Sequence, residues 1–149
     1  MSRVILIAAD HALPLCDRRE YRESAAGGIT VGSPRGFQIA EHRYYRGAAD
    51  ALGFAMKPFQ YELSLENCRT DLDRMLDYLR ANFAPGEEAE LWSLWVGNGG
   101  GTRPVRYRGK LSEFDLDTLG MLTEIRYETD PTGEFPEGLI SQVCITIMM

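Results

Sequence analysis

The sequence has few of the residues that build metal and disulfide sites. It contains three cysteines and two histidines in 149 residues. Cys16, Cys68 and Cys144 are odd in number and far apart, and no C-x-x-C pair is present. This spacing argues against a disulfide framework and against a zinc knuckle, and it favours reduced thiols in a cytosolic protein. We therefore expect no bound metal and no cofactor.

Basic residues and long apolar runs are also scarce. Sixteen Lys and Arg against 22 Asp and Glu give a formal net charge of -6, whereas binding to nucleic-acid phosphates needs a surplus of positive charge on some face. The first apolar run, residues 4–9, is shorter than the apolar region of about 7–15 residues in a signal peptide. No window reaches the roughly 20 apolar residues of a membrane span. The sequence predicts a soluble cytoplasmic protein that binds neither nucleic acid nor membrane.

The composition is that of an ordinary globular chain. A hydrophobic fraction of 44% and a charged fraction of 26% provide enough apolar surface for one core. The length fits one domain, since single domains run to roughly 100–200 residues. We predict a single α+β domain spanning residues 1–149, in which a mixed β-sheet of about five to six strands packs against two to three helices.

Five segments have the composition or alternation of β-strands. The continuous apolar run at residues 4–9 predicts a central strand that is covered on both faces. Residues 59–63 and 90–96 predict two further strands. Residues 105–110 alternate basic with other side chains, which is typical of a strand at the edge of a sheet. Residues 139–147 predict a C-terminal strand.

The clearest helix is predicted at residues 65–83, with Ser64 as its cap and Pro85-Gly86 as its stop. Its apolar residues recur at helical spacing, and four of them are expected to be buried: Leu72, Met75, Leu76 and Leu79. Charged residues on the opposite side, including Asp77 and Arg80, are expected to face solvent.

Other segments are less regular. Residues 40–52 predict a helix followed by Gly53 in the left-handed conformation, although residues 36–40 alternate well enough to form a short strand instead. A short helix capped by Ser112 or Asp115 is expected to run to Leu122. Residues 10–36 predict mainly loop with an extended piece near residues 29–31, and residues 130–138 predict a turn.

The stretch LWVGNGGGTRPVRYRGK, residues 94–110, raises the question of a phosphate site. A phosphate-binding P-loop needs a lysine and a following helix, and a dinucleotide fingerprint needs a third glycine. Counted from Gly97, the required final glycine of both motifs is replaced by Thr102 and the P-loop lysine by Arg103, and a proline-led, strand-like segment comes next instead of a helix. It is therefore interpreted as a hairpin turn that joins residues 90–96 and 105–110 as neighbouring antiparallel strands.

Two segments carry chemically capable side chains. Asp10, His11 and Cys16 follow the first strand, at the edge where open α/β sheets tend to bind ligands. They correspond to no established metal or hydrolase spacing. Arg103 and Arg106 follow the glycines and are able to grip a carboxylate or phosphate through paired donors.

A third candidate lies in the sequence EHRYYRG, which contains His42, Arg43 and Tyr44. Its arginines and tyrosines are of the types enriched at protein interfaces. Stacking on nucleic-acid bases is the alternative use of such residues, and the acidic balance of the chain argues against it.

These observations favour a small binding protein that acts through a protein partner. No catalytic motif is present, and an acidic surface favours a basic partner. The alternative is a small-molecule-binding domain or an enzyme. Its pocket would be formed by the loop of residues 10–16 and the segment of residues 97–106.

The glycine stretch gives a direct prediction about nucleotides. Titration of the protein with ATP, GTP or NAD should give no saturable binding, because no helix N-terminus follows the glycines to receive a phosphate. Isothermal titration calorimetry measures this. Saturable binding that is abolished when Gly99 and Gly100 are replaced by Ala would contradict the hairpin interpretation.

Overall fold

The computed structural model describes residues 2–97, 104–124 and 142–149. The strands, in chain order, are β1 (Ser2–Ala9), β2 (Cys16–Asp17), β3 (Glu20–Ala26), β4 (Ile29–Arg35), β5 (Gln38–Glu41), β6 (Phe59–Ser64), β7 (Glu88–Val96), β8 (Val105–Lys110) and β9 (Val143–Met148). The helices are α1 (Arg46–Asp50), α2 (Arg69–Asn82) and α3 (Leu116–Thr123). None of the helices in these ranges has the length and apolar character needed to cross a membrane.

Seven strands form one mixed sheet in the order β2-β5-β6-β1-β7-β9-β8. Paired strands are antiparallel except β8 and β9, which run parallel. Strands β3 and β4 form a separate hairpin. The predicted α+β pattern with a mixed sheet is confirmed. The expected five to six strands are too few, since the described residues form seven in the sheet and two in the hairpin.

Strand β1 lies at the centre of the sheet, between β6 and β7. Its residues 4–9 are at most 9% exposed, which confirms the predicted strand covered on both faces. Alternate side chains face opposite sides of the sheet. The first core, on the side of α2 and α3, receives Ile5, Ile7 and Ala9. The second core, on the side of α1, receives Val4, Leu6 and Ala8.

Strand β7 extends both cores beside β1. Leu91 belongs to the first core, whereas Trp92 and Leu94 belong to the second, as the sequence alternation predicts. The ring of Phe54 stacks on Trp92, with 5.9 Å between the centroids and 14° between the planes. Strand β7 therefore contributes alternate side chains to the cores on both faces of the sheet.

Helix α2 begins at Arg69, four residues later than a cap at Ser64 predicts. Ser64 is wrong as the cap because it pairs with Gln38 as the last residue of β6. The chain then turns through residues 65–68, where Asp71 accepts a hydrogen bond of 2.7 Å from the backbone N–H of Glu66. The expected burial is confirmed for Leu72, Met75 and Leu79, but Leu76 is only partly buried.

The predicted helix at residues 40–52 is too long. Its first residues belong to β5, which pairs with β6, so the alternative of a short strand is confirmed in part. Helix α1 covers only Arg46–Asp50. Gly53 follows it with φ of 73°, which confirms the predicted left-handed residue.

The loop predicted at residues 10–36 is wrong for most of its length, because Glu20–Ala26 and Ile29–Arg35 form the β3–β4 hairpin. Gly27 and Gly28 connect these strands with φ of 59° and 81°. Two successive positive φ values give the tight turn whose twist matches paired strands. The Gly-Gly pair was therefore the sequence signal for the hairpin.

Strands β7 and β8 are not neighbours, so the predicted hairpin between them is wrong. Strand β9 lies between the two and pairs antiparallel with β7 and parallel with β8. The position of β8 at the sheet edge is confirmed, as is the strand that follows the glycines. The connecting residues 98–103 and the turn predicted at residues 130–138 lie outside the described residues.

Two predictions for the C-terminal part of the chain, a helix cap and a strand, agree with the structure. Asp115 caps α3 by accepting a hydrogen bond of 2.9 Å from the backbone N–H of Thr118. The predicted strand at residues 139–147 is confirmed from Val143 onward. Residues 139–141 lie outside the described ranges.

The burial of α2 predicts which of its leucines stabilises the fold. Leu79 is 0% exposed, so Leu79→Ala should lower the free energy of unfolding by about 2–5 kcal/mol through lost burial and a cavity. Leu76→Ala is the matched control and should lower it by less, because Leu76 is only partly buried. Urea denaturation monitored by circular dichroism gives both values. Equal losses would contradict this packing of α2.

Candidate functional site

The residues predicted at the end of β1 make ion pairs with nearby segments. Asp10 bonds to the Lys57 ammonium at 2.5 Å, and this hydrogen bond raises the pKa of Lys57. The Nε2 atom of His11 lies 3.0 Å from a carboxylate oxygen of Glu87. Its ring also lies 5.1 Å from that of Phe83. Asp10 and His11 therefore attach the end of β1 to different neighbours.

Cys16 lies apart from these two residues, in the edge strand β2, where it packs against the first core. The segment before it is held by Tyr78, whose hydroxyl donates to the carbonyl of Pro14 at 2.7 Å. Burial raises the pKa of Tyr78. These contacts are of the kind that fix a loop onto a core.

The strand register separates Asp10 from Gly97, the described first residue of the segment that the alternative hypothesis places in the same pocket. Ser2 pairs with Val96 and Ala8 pairs with Glu90, so Gly97 and Asp10 lie near opposite ends of β1. Eight residues of strand span about 26 Å. Arg106 lies on β8, with its guanidinium 5.3 Å from the centroid of the Trp92 ring. Arg103 lies outside the described residues.

The side chains of the EHRYYRG segment lie in different environments, one buried in the protein and two exposed to solvent. The side chain of His42 is 0% exposed and approaches Glu62, with 3.6 Å between Nδ1 and Oε1. Arg43 forms a surface ion pair with Glu41. Tyr44 is 87% exposed and contacts the edge of Tyr45, with 4.8 Å between the ring centroids. The segment therefore contributes one buried and two exposed side chains.

A group of three possible metal ligands lies before and within the first turn of α2. Ligand atoms of Glu66, Cys68 and Asp71 lie within 4.8 Å of one another. Glu66 pairs with Arg22 at 2.8 Å, and Asp71 accepts from the Glu66 backbone. Both carboxylates thus have partners within the chain, and their contacts explain their position without a metal.

The feature with the clearest exposed apolar surface is the hairpin of β3 and β4, residues 20–35, here called the arm. Seven residue pairs make it about 20 Å long. Tyr21 and Ile29 are each 67% exposed, and Val31 is 55% exposed. Among the described strands, none pairs with the outer edges of the arm.

The arm continues a strand pair of the main sheet. Strands β2 and β5 pair at the sheet edge. Between this strand pair and the arm, the backbone N–H of Arg18 donates a hydrogen bond of 2.9 Å to the carbonyl of Phe37. Gly36 adopts φ of 123° at this junction, a value that favours glycine. The arm is therefore a two-stranded ribbon that leaves the sheet at a bend.

Polar contacts hold the base of the arm against α2. Arg74 bonds to the Arg18 carbonyl at 2.8 Å and to the Glu20 carboxylate at 3.3 Å. Arg22 bonds to Glu66 at 2.8 Å. Exposed ion pairs contribute only about 0–1 kcal/mol each. These contacts orient the base and leave the tip exposed.

The tip of the arm carries no charge. Residues 24–34, SAAGGITVGSP, contain no acidic or basic side chain, although the whole chain has a net charge of -6. The only charges on the arm are Glu20, Arg22, Glu23 and Arg35, and they lie toward its base. Exposed β-branched side chains thus lie on a neutral surface of an acidic protein.

Comparison of the chain with known proteins gives no identification. No family model, curated protein or solved structure matches it. Function is therefore inferred from the contacts, burial and charge of the described residues.

The three thiols should differ in reactivity. Cys144 is 1% exposed, and burial raises its pKa to about 11, so little of the reactive thiolate forms at neutral pH. Cys16 and Cys68 are partly exposed. Mass spectrometry after brief treatment with iodoacetamide at pH 8 should find these two modified and Cys144 modified only in denaturant. Equally fast modification of Cys144 in the native protein would contradict its burial.

Proposed function

We propose that the protein acts by binding a protein partner through the arm. The observation that carries this proposal is the exposure of Ile29 and Val31 on an uncharged hairpin tip. An isolated two-stranded hairpin is only marginally stable in water. Covering its apolar side chains with a partner would therefore stabilise both the arm and the complex.

The apolar side chains supply the main contact. Ile29 and Val31 lie two residues apart on β4 and so point to the same face of the ribbon. Full burial of such a side chain contributes about 1.5–3 kcal/mol. An apolar cleft on the partner that accepts both side chains would gain affinity without placing charge in the interface.

The outer edge of β4 is the better edge for backbone pairing. Its residues before Arg35 are uncharged, whereas β3 carries Glu20, Arg22 and Glu23. Charged side chains discourage pairing at a sheet edge, and uncharged edges permit it. A strand of the partner can therefore add beside β4 through main-chain hydrogen bonds, as in other cases of strand addition.

The partner hypothesis predicts a specific loss of binding. The variant Ile29→Thr/Val31→Thr keeps β-branched residues that suit a strand but removes the exposed aliphatic side chains from that face of the arm. Affinity capture from the native lysate with quantitative mass spectrometry should recover at least one protein near equal stoichiometry with the wild type. The variant should recover at least tenfold less of it, which corresponds to about 1.4 kcal/mol of binding free energy.

The matched control is Val105→Thr. Val105 is a β-branched residue on the edge strand β8, 39% exposed and remote from the arm in the strand order. This variant should capture the same protein as the wild type. Recovery that does not depend on the arm, or no stoichiometric partner at all, would overturn the proposal. Light scattering that finds an arm-dependent homodimer would also overturn it, because the arm would then bind a second copy.

A further inference from the structure

A second, partly buried group of polar side chains lies on the sheet face opposite α2. It consists of His42, Gln60 and Glu62 and is called here the polar cluster. Glu41 pairs with Tyr61 in the β5–β6 register, so the next positions along the two chains are His42 and Gln60. Glu62 is two residues further on β6 and faces the same side. The register thus brings together residues that lie twenty positions apart.

Four buried polar atoms of the cluster lack hydrogen-bond partners within the described chain. Neither ring nitrogen of His42 has a hydrogen-bond partner there, and the same holds for one buried oxygen each of Gln60 and Glu62. The distance of 3.6 Å from His42 Nδ1 to Glu62 Oε1 is longer than an N–H···O hydrogen bond. Buried polar groups are normally satisfied, so the cluster has the character of a binding site.

We propose that the polar cluster binds a zinc ion. Zinc binds imidazole nitrogen and carboxylate oxygen at about 2.0–2.2 Å, and an angle of about 110–120° then places the two ligand atoms about 3.4–3.7 Å apart. The distance between His42 and Glu62 falls in this range. It is too long for a direct bond between the two residues and suits two ligands of one ion.

The third ligand is the amide oxygen of Gln60. Its Nε2 donates to the carbonyl of Lys57 at 3.2 Å, which assigns the buried Oε1 as an acceptor without a partner. Imidazole with two oxygens suits zinc better than calcium or magnesium, which prefer oxygen ligands alone. These three residues leave a fourth position for water or an external ligand.

The cluster is open to solvent at Glu62, whose side chain is 30% exposed. Glu62 lines a cavity of about 140 Å³ whose lining includes Arg3, Gln38 and Ser64 but neither His42 nor Gln60. His42, by contrast, is fully covered. The site therefore combines an accessible carboxylate with a buried imidazole, which permits entry and then shields the bound ion.

The group of Glu66, Cys68 and Asp71, described above as possible metal ligands, provides a matched control for the test. Glu66 in that group and Glu62 in the polar cluster have similar side-chain exposures of 34% and 30%. Each can be changed to glutamine, which removes the charge and keeps the size. The two variants therefore distinguish the two regions that hold possible ligands.

The experiment is calorimetric titration of the full chain with Zn²⁺ after removal of metals by a chelator. The wild type should bind one equivalent. Glu62→Gln should weaken binding at least tenfold, and Glu66→Gln should leave it unchanged. Cobalt substitution should give a spectrum without thiolate-to-metal charge transfer, because no cysteine belongs to the polar cluster.

Three results would overturn the proposal. The first is the absence of saturable zinc binding in the wild type. The second is an unchanged affinity in Glu62→Gln, whose accessible side chain makes the substitution compatible with folding. The third is loss of binding in Glu66→Gln or a thiolate signal from cobalt, either of which assigns the ion to the region of Cys68.

Discussion

Strand β1 is buried on both faces and hydrogen-bonded along both edges, and the positions of the other elements depend on it. Its neighbours β6 and β7 satisfy its backbone groups, which is required because buried N–H and C=O groups without partners are costly. Its alternating side chains require cover on both sides. Helices α2 and α3 supply the first cover, and the segment around α1 supplies the second.

The elements that were predicted from sequence are those whose pattern is local and whose environment is uniform. The apolar run of β1 and the alternation of β7 reflect burial on both faces. The stripe of α2 reflects burial on one side, and the cap of α3 depends on a bond from Asp115 to a residue three positions away. In each case the residues that determine the structure are neighbours in the chain.

The errors arise where distant segments compete for the same residues. Ser64 has the chemistry of a helix cap, but pairing with Gln38 extends β6 through it. Residues 40 and 41 fall within the predicted helix and pair with β6 instead. The insertion of β9 between β7 and β8 follows from a pairing choice made about 40 residues away in the chain. The pattern of neighbouring residues in the sequence does not predict which distant strands pair with each other.

The two proposed sites differ in the same way: the signal for the arm is local in the sequence, and that for the polar cluster is not. The Gly27-Gly28 pair is a local signal of a hairpin, so the arm could have been found from the sequence, although its exposure could not. The polar cluster had no such signal. His42 was noted for its chemistry, but its neighbours Gln60 and Glu62 depend on the register of β5 against β6. Ligand spacing along the chain therefore predicted no metal site.

The arm and the polar cluster share one element of the fold. Strand β4 of the arm continues through Gly36 and Phe37 into β5, and His42 follows directly after β5. An ion held between His42 and Glu62 would fix the end of β5 against β6, four residues beyond the point where the ribbon joins the sheet. The β5–β6 register that positions the proposed zinc ligands also positions the strand into which β4 of the arm continues. A rigid junction between the arm and the sheet would limit the orientations of the arm, and this would lower the entropy lost on binding the proposed partner.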